Sequence, residues 1–166
     1  MECGIDLAVK RKSAVATIDN NVIAVSFLDT DDEILEKCKE ATVVALDAPL
    51  TSARGYREVD RLLLSRGLRV FPPSFISSLT ERGIRLSRRL RAIETHPTSS
   101  LKLPGWDWRQ LSPSKDEADA VVCALTANLW VKGKTLVFRA RDGEIHLLDR
   151  DVPFPRIVSR GKYLVT

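Results

Sequence analysis

Thr42-Val43-Val44-Ala45-Leu46 is a β-branched, wholly apolar run, and its place in the chain limits the folds available. A strand without polar alternation is buried on both faces. Three strand-like segments precede it, at Cys3 to Ala8, Ala14 to Ile18 and Val22 to Phe27. The last two flank Asp19-Asn20-Asn21, whose residues accept turn conformations, so the three read as antiparallel strands joined by hairpins. Thr30 then precedes Asp31-Asp32-Glu33, a capped helix start with an acidic first turn, and Ile34, Leu35 and Cys38 supply an apolar stripe. A strand reached through a helix can lie parallel to an earlier one. The fourth strand is therefore expected beside the first, with their carboxyl ends adjacent.

Downstream, Tyr56, Val59, Leu62 and Leu63 have helical spacing up to Arg66, and Gly67 stands at the C-cap. Phe71-Pro72-Pro73 interrupts the pattern, and a second helix is predicted from about Ser74 to Leu90, kinked near Gly83. Arg91 to Thr95 reads as a short strand stopped by His96-Pro97, and residues 98–113 read as a loop holding Trp106 and Trp108. Ser114-Lys115-Asp116-Glu117 has capping-box spacing and opens a helix to about Trp130. Thr135 to Phe138 and Glu144 to Leu148 flank Arg141-Asp142-Gly143, a strong hairpin signal. The expected fold class is α/β: a mixed five-stranded sheet, three antiparallel strands then parallel crossovers, with helices on both faces and a C-terminal hairpin. No repeat or linker divides the 166 residues, so a single domain is expected, with an Arg-rich helical insert at about 54–91.

The net charge of +4 is segregated. Residues 1–53 are acidic, whereas residues 54–91 hold 10 Arg against Glu58, Asp60 and Glu81. Arg carries a planar fork suited to phosphate, so this block fits a nucleic-acid partner as well as a solvated pair of helices. No run of about 18 apolar residues occurs, so neither a membrane span nor a membrane partner is expected. The opening Met1-Glu2-Cys3-Gly4 leads straight into strand-like sequence, without the basic region of a secretory signal. Cys3, Cys38 and Cys123 lack metal-ligand spacing and read as reduced thiols, which together with the missing signal predicts a cytoplasmic location.

Asp6 interrupts the most apolar part of the first strand, and Asp47 ends the fourth. The topology brings both to one end of the central strand pair, where a buried carboxylate needs a partner or a metal. Asp6 also fits an exposed strand position, and Asp47 a turn cap. Asp116 and Asp119 are three apart on the predicted helix and share a face, which Ala120, Cys123 and Ala127 continue with small side chains. Helix-start chemistry accounts for Asp116 and Glu117 but not for Asp119. Four such carboxylates can hold one or two hard divalent cations, Mg²⁺ or Mn²⁺, which would activate water for phosphodiester hydrolysis. No nucleophile paired with a base and no glycine-rich phosphate loop is visible.

Gly4-Ile5-Asp6-Leu7-Ala8, Leu46-Asp47-Ala48-Pro49 and Asp116-Glu117-Ala118-Asp119-Ala120 together resemble the ribonuclease-H-like superfamily. The last is similar to the Asp-x-x-Asp-Ala helix of Holliday-junction-resolvase-like nucleases. A closer resemblance is to a family of predicted nucleases of this fold, catalogued as a domain of unknown function. Arg57-Glu58-Val59-Asp60-Arg61, Val70-Phe71-Pro72-Pro73-Ser74 and Glu94-Thr95-His96-Pro97 follow its pattern, and the resemblance spans roughly residues 3 to 148. It implies metal ligation by Asp6, Asp47 and Asp119, with Asp116 as a fourth ligand. Asp47 departs from the resolvase pattern, which generally places Glu there. Glu94 and His96 belong to the predicted-nuclease pattern, as an extra ligand and a proton-transfer group; His96-Pro97 also fits a simple strand stop.

Arg82, Arg85 and Arg89 fall on one helical stripe, widened by Arg88 and Arg91, and are candidate contacts to flanking phosphates. Tyr56, Phe71, Trp106 and Trp108 can stack on bases or anchor loops. The leading expectation is a metal-dependent nuclease or phosphodiesterase acting on DNA or RNA. The alternatives are an inactive nucleic-acid-binding or scaffold module of the same fold, or a phosphotransferase. The latter enters because Gly4-Ile5-Asp6-Leu7 also resembles the first phosphate motif of actin-like kinases, which need a second lobe. A homodimer is left open.

Overall fold

A computed structural model describes all 166 residues. The sheet begins with β1 (Glu2–Asp6), β2 (Ser13–Asp19), β3 (Val22–Leu28) and β4 (Val44–Leu46), followed by β5 (Ala92–Thr95). It continues with β6 (Leu136–Ala140), β7 (Gly143–Leu147), β8 (Arg156–Ser159) and β9 (Lys162–Leu164). The helices are α1 (Asp31–Cys38), α2 (Glu58–Ser65), α3 (Ser77–Ser87), α4 (Pro97–Lys102) and α5 (Lys115–Val131). One mixed sheet runs β6-β7-β5-β4-β1-β2-β3-β9-β8. The predicted meander, β1 antiparallel to β2 and β2 to β3, is present, with positive φ at Asn20 and Asn21 in its second turn. The expected parallel β1–β4 pair is also present.

The sheet has nine strands, not five. The expected hairpin is β6–β7, and β7 extends the sheet by lying parallel to β5. A second hairpin, β8–β9, adds to the edge of β3. It left little trace in the sequence because its strands are only 4 and 3 residues long, and β8 is exposed along its length. Residues 98–113 are not a plain loop, because α4 starts at Pro97 and a 3-10 turn spans Trp108–Gln110. Proline suits the first helical position, where its missing N–H costs nothing, so His96-Pro97 both stops a strand and opens a helix.

Side-chain alternation sorts the core into two layers. Cys3, Ile5, Val44 and Leu46 pack with Ile34 and Cys38 of α1 and Leu86 of α3. Ala14, Ala16 and Ile18 of β2 face Val121, Val122 and Leu125 of α5, while Val43 and Ala45 face Cys123 and Ala127. Val59 and Leu63 of α2 cover Ile145 and Leu147 of β7. Helices therefore lie on both faces, as expected, with α5 on the face to which Gly4 and Asp6 point.

Gly4 determines how closely α5 approaches. A Cβ there would lie 2.0 Å from the Ala124 nitrogen and 2.4 Å from the Cys123 carbonyl carbon. Gly4→Ala is expected to cost about 3 kcal/mol or more, because helix backbone cannot yield as a side-chain end can. Urea unfolding checks this. Gly83 plays a similar part in α3, which passes through it as unbroken helix and not with the predicted kink. A Cβ at Gly83 would meet the Ala48 Cβ at 2.8 Å, so α3 is seated against the segment following Asp47.

Cys3 and Cys38 are joined in a disulfide, with Cα atoms 6.0 Å apart, while Cys123 is free and buried. This corrects the expectation of three reduced thiols, and the cysteines no longer argue for a cytoplasmic location. The pair meets because β1 and α1 bury the same layer, a juxtaposition that 35 residues of separation conceal. No helix is long and apolar enough to cross a membrane.

Candidate metal centre

Asp6 closes β1, and Asp47 follows β4, its N–H donating to the Ile5 carbonyl at 3.0 Å. In the parallel register the two carboxylates stand side by side on the α5 face. Asp119, one turn into α5, begins the small-residue stripe continued by Cys123 and Ala127, and descends onto the same spot. Oxygen atoms of Asp6, Asp47 and Asp119 lie within 4.8 Å of one another. Asp6 and Asp119 are buried and Asp47 is half-buried. Asp6 Oδ2 and Asp119 Oδ1 are buried without any hydrogen-bond partner.

Desolvation of adjacent like charges is costly, and it shows in the ionisation of the cluster. Burial, with Asp47 and Asp119 adding to it, pushes Asp6 up to about 9. Burial and then Asp119 raise Asp47 to about 7. Asp119 is also raised by burial, against the opposing pull of Lys115, whose Nζ sits 2.7 Å from Asp119 Oδ2. Lys115 is the one cation bound directly to the cluster. In the sequence the one signal of this role is its i,i+4 spacing from Asp119.

These shifts predict a pH dependence. A carboxyl raised in the folded state contributes stability that is full below its unfolded pKa and is lost as pH rises through its folded value. In a chelating buffer the melting temperature is expected to fall between about pH 5 and pH 9 as Asp47 and then Asp6 ionise. Thermal scans across that range check it, and a divalent cation should flatten the decline.

The other predicted site residues take different places. Asp116 is held by Arg11 in a two-pronged pair, at 2.9 and 3.0 Å, which lowers its pKa. It lies beside Asp6, at the margin of the three-carboxylate cluster. Glu94 lines the same cleft as Asp47 but is held in a buried network. All five N–H groups of Arg57 are engaged: two on Asp60 at 3.0 and 2.8 Å, two on Glu94 at 2.8 and 2.6 Å, and one on Thr51 Oγ1 at 2.9 Å. Glu94 also accepts the Leu50 N–H at 2.9 Å, which ties down the loop carrying Asp47. Glu94 thus braces that loop, with both of its oxygens engaged by Arg57.

His96 lines a cleft of about 480 Å³ together with Asp47, Arg11 and Phe71. Its Nδ1 meets Ser99 Oγ at 2.6 Å, and burial, aided by Lys115 and Lys102, lowers its pKa to about 4. The imidazole is therefore neutral near pH 7. Among the arginines, Arg82 pairs with Asp31 at 2.8 Å and reaches the carbonyls of Ala8 and Asp29. It pins α3 to the strand loops and is withdrawn from the basic surface. Arg85 shares Asp31 at 2.8 Å and stays exposed, while Arg88 and Arg89 are exposed without an ion pair. Trp106 and Trp108 pack against the α5 core, so they are anchors.

The chain matches no known protein family, no curated protein and no solved structure.

Proposed function

We propose that the chain is a divalent-metal-dependent phosphodiesterase acting on nucleic acid, with Asp6, Asp47 and Asp119 holding the ion. One observation carries this reading: three carboxylates from two strand ends and one helix converge within 4.8 Å, with two buried oxygens lacking any partner. Uncompensated buried carboxylate is unfavourable unless a cation accompanies it. An all-oxygen donor set suits Mg²⁺ or Mn²⁺. When bound, the ion would supply Lewis-acid polarisation of a phosphoryl oxygen and a more acidic water. The central strand order β3-β2-β1-β4-β5 supports a ribonuclease-H-like reading of the fold.

The chain's own residues complete the arrangement. Neutral His96 lines the cleft, and in the tautomer whose Nδ1–H donates to Ser99 Oγ its Nε2 is free to accept a proton. Arg11 stands at the same cleft and can hold a phosphate oxygen, and exposed Arg88 lies beside the neighbouring Pro73–Ser74 turn. Lys115 balances charge beside Asp119.

The test is cleavage of single-stranded, duplex and branched DNA and RNA with Mg²⁺, Mn²⁺ or chelator. Metal-dependent cleavage that is lost in Asp119→Asn supports the reading. Cleavage that persists in Asp119→Asn or in chelator overturns it. Salt-sensitive binding with no metal effect on stability supports the inactive binding module instead.

A further inference from the structure

Phe71 and Phe75 are 66% and 77% exposed, more than any other large apolar side chain in the chain. Exposure on this scale for two aromatic rings in one short segment calls for an occupant. The segment cannot collapse to hide them. Pro72 and Pro73 are buried, the Phe75 N–H donates to the Pro72 carbonyl at 3.0 Å, and Thr80 Oγ1 donates to the Pro73 carbonyl at 3.0 Å. The 3-10 turn Pro73–Ile76 is thus fastened to α3 with its phenylalanine held outward. Ser74 Oγ further accepts the Gly55 N–H at 3.1 Å, joining the turn to the loop that follows Asp47.

Phe71 adjoins the candidate metal centre. Phe71 and Ile76, the latter next to Phe75, line the cleft that also contains Asp47, Arg11 and His96. The surrounding insert is cationic: Arg54, Arg61, Arg69, Arg88 and Arg89 are exposed and none forms an ion pair. Exposed aromatic rings carried on an Arg-rich insert, with Arg88 beside the Pro73–Ser74 turn and Phe71 in the cleft of the carboxylate cluster, match the combination that single-stranded nucleic acid requires. An apolar protein partner would not call for that charge.

We propose that Phe71 and Phe75 form a stacking platform for an unpaired nucleobase of a single-stranded nucleic acid whose backbone enters the Asp6, Asp47 and Asp119 cleft. This rests on the phosphodiesterase reading and adds its substrate class. Stacking on phenylalanine returns no more than extracting a base from a duplex costs, so a paired strand gains nothing from the platform.

Binding of the full chain to oligonucleotides of about 12 nucleotides, DNA and RNA, single-stranded and duplex, tests this. The strands carry 2-aminopurine, and Ca²⁺ replaces Mg²⁺ to prevent turnover. Wild type is expected to prefer single strands and to quench the fluorophore. Phe71→Ala with Phe75→Ala should weaken single-strand binding at least about tenfold per residue and leave duplex binding unchanged. The Phe71→Trp and Phe75→Trp pair should restore quenching. Equal loss on duplex, no loss on single strands, or no single-strand binding by wild type overturns the platform. The Mn²⁺-induced melting shift, recorded in the same variants, reports on the metal centre separately. Phe-dependent strand binding without that shift leaves the platform standing and sinks the phosphodiesterase reading.

Discussion

Asp6→Asn is expected to lose the stabilisation that Mg²⁺ or Mn²⁺ confers and, above about pH 9, to melt higher than wild type in chelator. Both effects follow from the same atoms. Asp6 Oδ2 is buried without a partner, and its carboxyl is pushed up to about 9 by burial and by Asp47 and Asp119. Above that pH an amide removes a buried charge and relieves its neighbours, and at any pH it cannot replace an anionic ligand. In wild type, a cation at about 100 times its dissociation constant adds about 2.7 kcal/mol. For a chain of this size that amounts to a rise of roughly 5–10 °C. Phosphodiester cleavage should fall about a thousandfold or more in the variant, since the ion's charge stabilisation is worth several kcal/mol. Thermal scans with and without Mn²⁺, run beside the cleavage assay, check both effects. Unchanged metal stabilisation in Asp6→Asn would show the cluster is not the binding site.

Arg57→Ala should be the most damaging single change outside the carboxylate cluster. Arg57 is almost wholly buried, and so are its partners Asp60 and Glu94. Truncating it strands two carboxylates in the interior, which costs about 3–5 kcal/mol. A midpoint drop of about 10 °C is the corresponding shift. The damage extends to the site, because Glu94 and Thr51 anchor the loop between Asp47 and α2 through Arg57. Metal affinity should therefore weaken as well. Arg57→Lys is expected to recover little, because one ammonium cannot reproduce a five-pronged fork. Urea unfolding and Mn²⁺ titration measure the two consequences.

The Arg57 network shows why part of the site was hidden in the sequence. Arg57 and Asp60 were visible as an i,i+3 pair, but Glu94 lies 37 residues further on, and a lone glutamate in a strand reads equally well as a ligand. The same holds at the start of α2. Its first N–H groups, on Glu58 and Val59, are bonded by Asp142, 84 and 83 residues away, in the β6–β7 turn. By contrast, the α1 start was legible, because Thr30 and Glu33 complete a capping box within four residues. At α5 the box is only half made. Ser114 caps the Glu117 N–H, but the Glu117 carboxylate takes the Tyr163 hydroxyl at 2.5 Å.

The apolar run at 42–46, and the hairpin strands and helix before it, determined by themselves that β4 lies beside β1 and that Asp6 and Asp47 share one end of the sheet. That much follows from chain connectivity and the two-residue side-chain period, both local properties. Only the tertiary structure decided which carboxylates form the cluster, because Arg11 claims Asp116 and Arg57 claims Glu94 across long separations. It also decided how near α5 comes, since that depends on a missing side chain at Gly4 and on the backbone of Cys123 and Ala124 facing it. Sequence periodicity records which face of an element is buried. It does not record which distant partner is met there, and that partner determines whether a buried charge is a brace or a ligand.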